Sequence, residues 1–233
     1  YTLGGTCGTA VSDTVKVTVV PAAFVSTDPA NTTVCQGTTA TLTATTQNAS
    51  GFAWTKNGTT ITAGGNITIT NTGSTQSVLS ISNATATDAG NYRLIAQNVG
   101  SCVADTSAIA TLTINAKPAI ASTTLPAATI CAGSTMSFAV TASNNSRVVW
   151  FGGATGTDSI QNASSFTLPA TAGIYSVKVI GNSPCGDTTS ASVTTTVTPL
   201  ATITKPVLTS NPICAGSTTT VSANFTNADS VVW

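Results

Sequence analysis

The side chains of this chain that could do chemistry are six cysteines and seven aspartates, and neither histidine nor glutamate occurs. Without them the usual general bases are missing, and a Ser-His-Asp triad cannot be assembled. The carboxylate pair of a glycosidase would have to come from two scattered aspartates. No aspartate cluster spells a calcium loop, and no glycine-rich turn joins a strand to a helix to cradle phosphate. No Cys-x-x-Cys pair is present, so a zinc site lacks its usual ligands. The expectation is a protein that is not an enzyme, with no catalytic residue, metal ligand or cofactor. What remains is thiol chemistry, and six cysteines at regular positions point to an oxidising, extracellular setting.

The positions are those of a repeat. Cys35, Cys131 and Cys214 open the similar segments CQGTTATLTA, CAGSTMSFAV and CAGSTTTVSA, and each is followed 19 positions later by a tryptophan, Trp54, Trp150 and Trp233. A second set consists of Cys7, Cys102 and Cys185. Tyr92 and Tyr175 precede the last two by ten positions, and Pro21, Pro118 and Pro199 follow the three members by 14 to 16. The repeat unit is 83 to 96 residues long, within the size range of a small domain.

Charge and composition narrow the partners. Only 6% of residues are charged and the formal net charge is zero, against about 25% charged in an ordinary globular protein. There is no basic patch for nucleic acid, and no apolar run reaches the roughly 20 residues of a membrane-spanning helix. So few charges leave solubility to hydroxyls, to attached sugar, or to an ordered assembly.

Elements of period two must position these residues. Ala40, Leu42 and Ala44 alternate with Thr39, Thr41 and Thr43, and Met136, Phe138 and Val140 repeat the pattern. Asn57-Gly58 is a hairpin signal, because both residues accept the positive φ of a type I′ turn. Helical periodicity is absent, so the expected fold is all-β, built of two-sheet sandwiches.

The stretches FAWTKNGTTI and VLSISNATATDAGNYRLIAQN resemble an immunoglobulin-like domain of the intermediate set. The likeness runs from Trp54, through Leu79 and Ile81, to Asp88, Gly90 and Tyr92 at a tyrosine corner. The second unit keeps Trp150 and Tyr175 but has Thr171 in place of the corner aspartate. The resemblance implies structural core roles for Trp54, Tyr92, Trp150, Tyr175 and Trp233. The family's core disulfide positions fall here on Ala44 and Leu94, and on Val140 and Val177, so an apolar pair fills each site. The cysteines have moved to the margins. With the start of the strand carrying Ala44 and the end of the strand carrying Leu94 taken to meet at one pole, the implied pairs are Cys35 with Cys102 and, likewise in the second unit, Cys131 with Cys185. The partners of Cys7 and Cys214 are then expected outside the segment.

Threonine-rich strands, a displaced disulfide and tandem units with short connections are similar in style to the repetitive modules of giant bacterial surface adhesins, including those of gliding bacteria. That resemblance implies tandem immunoglobulin-like β-sandwiches arranged as an elongated rod. The expected division is 1–20, the end of a preceding domain; 21–116 and 117–198, two complete domains; and 199–233, the start of a following one. The implied function is a stalk or filament segment of a long secreted protein at a bacterial surface, with neighbouring immunoglobulin-like domains as partners. The alternatives are a module binding a glycan or protein, and accessory domains of a secreted enzyme. Two sugar-attachment patterns occur. Asn-x-Ser/Thr begins at Asn31, Asn48, Asn57, Asn66, Asn83, Asn144, Asn162 and Asn224. Asp, then Ser or Thr, then an apolar residue or Thr, which resembles the pattern of bacterial O-glycosylation, marks Thr14, Ser159, Thr188 and Ser230; Asp-Ser and Asp-Thr also favour turns.

Overall fold

Where threonine alternates with small or branched apolar residues, the chain forms strands with one buried and one solvated face. A computed structural model of the protein describes residues 2–5, 7–11, 14, 16–99, 102–230 and 232. No α-helix occurs among them; a 3₁₀ turn spans Ala86–Asp88. Trp233 lies outside the described residues. The chain divides into two units, Tyr1–Ile114 and Asn115–Trp233.

Unit 1 begins with a separate antiparallel hairpin of β1 (Thr2–Gly5) and β2 (Gly8–Val11). Its sandwich is built from β3 (Phe24–Thr27), β4 (Thr32–Cys35), β5 (Ala40–Gln47), β6 (Gly51–Lys56), β7 (Thr59–Ile61), β8 (Ile67–Thr72), β9 (Gln76–Ile81), β10 (Gly90–Gln97), β11 (Asp105–Thr106) and β12 (Ala110–Asn115). One sheet has the order β3-β5-β9-β8, and the other β4-β12-β10-β6-β7, with β11 also pairing with β10. On β5, Ala40, Leu42, Ala44 and Thr46 are buried, while Thr41 and Thr43 are exposed. The core gathers Leu42, Ala44, Trp54, Leu79, Ile81, Tyr92, Leu94 and Leu112. Trp54 on β6 stands opposite Leu94 on β10 in the ladder. Its indole Nε1 donates to Ser77 Oγ at 2.9 Å, and that hydroxyl donates to Asn71 Oδ1 at 2.7 Å. The one polar atom of the largest core side chain is thereby satisfied, as burial requires.

Unit 2 repeats the plan with β13 (Ala119–Thr124), β14 (Thr129–Cys131), β15 (Thr135–Ser143), β16 (Asn145–Gly152), β17 (Asp158–Gln161), β18 (Ser165–Pro169), β19 (Gly173–Gly181), β20 (Thr188–Thr189) and β21 (Val193–Thr198). Its sheets are β13-β15-β18 and β14-β21-β19-β16-β17, with β20 on β19. Trp150 stands opposite Val177, and its Nε1 donates to the Ala163 carbonyl at 2.8 Å. The core here is more aromatic. Phe138 stacks on Phe166 at 4.6 Å and meets the edges of Trp150 and Tyr175 at 5.5 and 5.4 Å. Phe138 occupies the place that Leu42 holds in unit 1, and the ring-edge contacts add to its burial. After the sandwich, β22 (Thr202–Ile203) pairs with β25 (Phe225–Thr226) and β23 (Val207–Leu208) with β24 (Val221–Ser222). Ile203, Leu208, Val221 and Phe225 remain exposed there.

Candidate functional site

Each sandwich has two poles, and the cysteines lie at the poles rather than in the core. In unit 2, Cys131 ends β14, which runs parallel beside β21 with Cys131 opposite Thr198. Thr195 of β21 stands opposite Gly173, the first residue of β19, so Cys131 lies beyond that end. Cys185 follows Gly181 at the other end of β19. The nine-residue length of β19 alone spans roughly 26 Å at about 3.3 Å per residue. Unit 1 has the same arrangement. The Gly37 amide beyond Cys35 bonds the Ala84 carbonyl, near the start of β10, whereas Cys102 follows its end at Gln97.

The disulfide-bonded cysteines are Cys35 and Cys185, one from each set, and both are buried. Cys7, Cys102, Cys131 and Cys214 carry free, exposed thiols. The pairs Cys35 with Cys102 and Cys131 with Cys185, expected from the sequence, are therefore corrected. The physical reason is strand direction. β5 and β10 run the same way in the two sheets, so the start of one and the end of the other are at opposite poles. A disulfide needs its Cα atoms within about 7 Å, and neither expected pair meets that requirement across the length of its sandwich.

The core aromatics sit where the spacing placed them. Trp54 and Trp150 are completely buried, and Tyr92 and Tyr175 nearly so. The Tyr92 hydroxyl donates to the Asp88 carbonyl at 2.6 Å, closing a tyrosine corner. Asp88 also works through its side chain: Oδ2 accepts from the Thr85 amide at 2.8 Å and from the Thr85 hydroxyl at 2.9 Å. Burial, reinforced by the Asp88 carboxylate, pushes the Tyr92 phenol up to about 12. In unit 2 the Tyr175 hydroxyl donates to the Thr171 carbonyl at 3.0 Å. The corner survives without the aspartate because the acceptor is a backbone oxygen that any residue supplies.

Residues 23–114 match the immunoglobulin I-set domain, and residues 118–199 match an immunoglobulin-like domain described as CHU_C associated. These are tandem immunoglobulin-like domains. Among solved structures, the I-band fragment I67-I69 of titin superposes with a TM-score of 0.60 at 20% identity, covering 78% of this chain and 68% of that one. The two-domain IG1+IG2 structure of DIP-gamma gives 0.51 at 16% identity, covering 77% and 99%. At such identities the likeness is one of fold. No curated protein sequence matches the chain.

Charged residues are few, and exposed apolar side chains such as Phe24, Val103 and Ile109 stand among the polar residues of the surface. The hairpin β6–β7 turns on Asn57 and Gly58, with φ of 50° and 85°, as the Asn-Gly signal requires. Asn48, Asn83 and Asn144 also have positive φ. Four of the Asn-x-Ser/Thr matches are thus left-handed turn residues, a conformation asparagine tolerates better than most residues. Asn48 and Asn144 further donate to backbone carbonyls, and Asn57 Oδ1 accepts the Asn91 amide. The Lys178 ammonium is 2.7 Å from Asp187 Oδ2. That hydrogen bond is the main influence holding the Asp187 carboxyl below its ordinary range. Thr14, Ser159 and Ser230 are exposed, whereas Thr188 is half-buried in β20 opposite Val179. A shallow groove of about 640 Å³ in unit 1 is lined by hydroxyls and amides, among them Ser26, Thr45, Thr46, Asn48 and Gln76. Among the described residues no group of three or more His, Cys, Asp or Glu could hold a metal ion. Nor is any helix among the described residues long and apolar enough to cross a membrane.

Proposed function

We propose that this chain is a structural repeat segment of a long secreted bacterial surface adhesin or extracellular fibre, serving as stalk or filament. The observation that carries the reading is two consecutive sandwiches, each closed around its own tryptophan core, with thiols set at their poles. The match of the second unit to a CHU_C-associated family supports a bacterial surface setting. Its partners are then further immunoglobulin-like domains. Segments 1–20 and 199–233 belong to flanking domains of the same array, and the exposed Ile203, Leu208, Val221 and Phe225 are apolar positions that a completed sandwich would bury. Exposed hydroxyls at Thr14, Ser159 and Ser230 are open to sugar attachment, which would offset the scarcity of charge. Brief protease treatment of intact source cells tests the placement. Release of peptides from this chain without cell lysis is expected; peptides recovered only after lysis would overturn it.

The hydroxyl- and amide-lined groove of unit 1 favours a second reading, in which the domain binds a glycan. Binding of the chain to an oligosaccharide panel, lost on Thr46→Val together with Gln76→Ala, would support that role; no binding across the panel would remove it.

A further inference from the structure

We propose that Cys131 and Cys102 are half-sites for disulfides to other units of this repeat, a first-set cysteine always joining a second-set cysteine. Three observations support this. First, Cys35 and Cys131 are equivalent in the fold, each ending the short strand beside the last strand of its sandwich. Cys102 and Cys185 are equivalent in the loop between the strand that carries the corner tyrosine and the short strand that follows it. Second, in each equivalent pair one member is bonded and buried while the other is free and exposed: Cys35 and Cys185 are 5% and 6% exposed, whereas Cys102 and Cys131 are open to solvent. The bonded cysteines come one from each set, and the free ones are the remaining members of the same two sets. Third, the two sets occupy opposite poles. The chain enters the sandwich of unit 2 beside Gly181, where Pro118 packs, at the second-set pole; it leaves along β21 at the first-set pole. A first-set pole joining a second-set pole is a heterologous contact, which propagates along an array instead of closing on itself.

The bond requires an oxidant, which in an extracellular space is a low-molecular-weight disulfide such as oxidised glutathione. The Cys131 thiolate attacks one glutathione sulfur and expels the other as a thiolate. The second-set thiolate of the partner unit then attacks the Cys131 sulfur and expels the remaining glutathione. Two thiols become one disulfide, and the two electrons and two protons leave with two molecules of glutathione.

This inference builds on the repeat-array reading, but its chemistry is tested separately, using a second copy of the chain as the partner unit. The purified chain is incubated with oxidised glutathione, separated without reductant, and mapped by mass spectrometry of linked peptides. Multimers are expected in which Cys131 or Cys214 is joined to Cys7 or Cys102. The double variant C131S/C214S is expected to lose them, although it keeps the Cys7 and Cys102 thiols and the bonded state of Cys35 and Cys185. Multimers that persist in the double variant through Cys7 and Cys102, or wild-type chain that takes up glutathione without forming multimers, would overturn the proposal. Either outcome leaves the surface location, read by protease release from cells, untouched.

Discussion

Replacing Tyr92 by phenylalanine removes the one hydroxyl that closes the corner of unit 1 and leaves the ring in place. The lost bond is the 2.6 Å donation to the Asp88 carbonyl. In this part-buried setting unit 1 should lose about 0.5 to 1.5 kcal/mol, the net worth of one hydrogen bond. A second signature comes from titration. The folded phenol ionises at about 12 instead of 10 because burial, and then the Asp88 charge, oppose the phenolate. A raised pKa means that the unfolded chain releases its proton first. The associated stability is complete below pH 10 and is lost as the pH rises toward 12. At about 1.4 kcal/mol per unit this is at most roughly 3 kcal/mol, and wild type should lose it over that range while Tyr92→Phe does not. Urea unfolding of the intact chain labelled with 5-fluorotryptophan, followed by fluorine NMR, reads the two units separately through Trp54 and Trp150. The Trp54 transition should shift in the variant while the Trp150 transition stays. A variant with wild-type stability at pH 8 and the same loss between pH 10 and 12 would refute both the bond and the titration argument.

Ser77→Ala should cost unit 1 about 1 to 3 kcal/mol, because it strands the Trp54 indole N–H, and the same fluorine signal measures it. Gly58→Ala meets no atom within 4 Å of the added Cβ, so its cost should be the backbone term alone, roughly 1 to 2 kcal/mol; equal midpoints in urea would mean that the turn is not left-handed there. The double change Ala44→Cys with Leu94→Cys should close a core disulfide on mild oxidation, detected as two fewer titratable thiols. Its loop closure, worth about 4 kcal/mol, should offset the lost Leu94 packing. In material from the source cells, peptides bearing Thr14, Ser159 or Ser230 should carry added sugar mass more often than the half-buried Thr188; unmodified peptides at all of them would return the solubility argument to ordered assembly.

Much of the sandwich was legible because its constraints are local. Period-two alternation exposes Thr41 and Thr43 and buries Leu42 and Ala44, whatever the rest of the chain does. The tyrosine corner closes over four residues, from Tyr92 to Asp88, and the 19-residue spacing from Cys35 places Trp54 on the next strand but one. The cysteine pairing was not legible, because it depends on which pole each loop occupies. That is decided by the direction of β5 relative to β10, two strands in different sheets that share no ladder. The asparagines show the same limit on a smaller scale. Asn57 declared itself through the following glycine, but Asn48, Asn83 and Asn144 hide the same positive φ inside an apparent glycosylation pattern. The Lys178–Asp187 ion pair joins residues nine apart that only the bend after Gly181 brings together.

The proposed stalk role requires two self-contained immunoglobulin-like sandwiches that bear load in series. Pulling the whole chain by its ends under reducing conditions tests it most directly. Unfolding residues 23–114 and 118–199 should give two separate force peaks. At about 3.5 Å per residue, less a folded length of about 40 Å, the gains in contour length are roughly 280 and 250 Å. One merged event, or extension without peaks, would contradict the account.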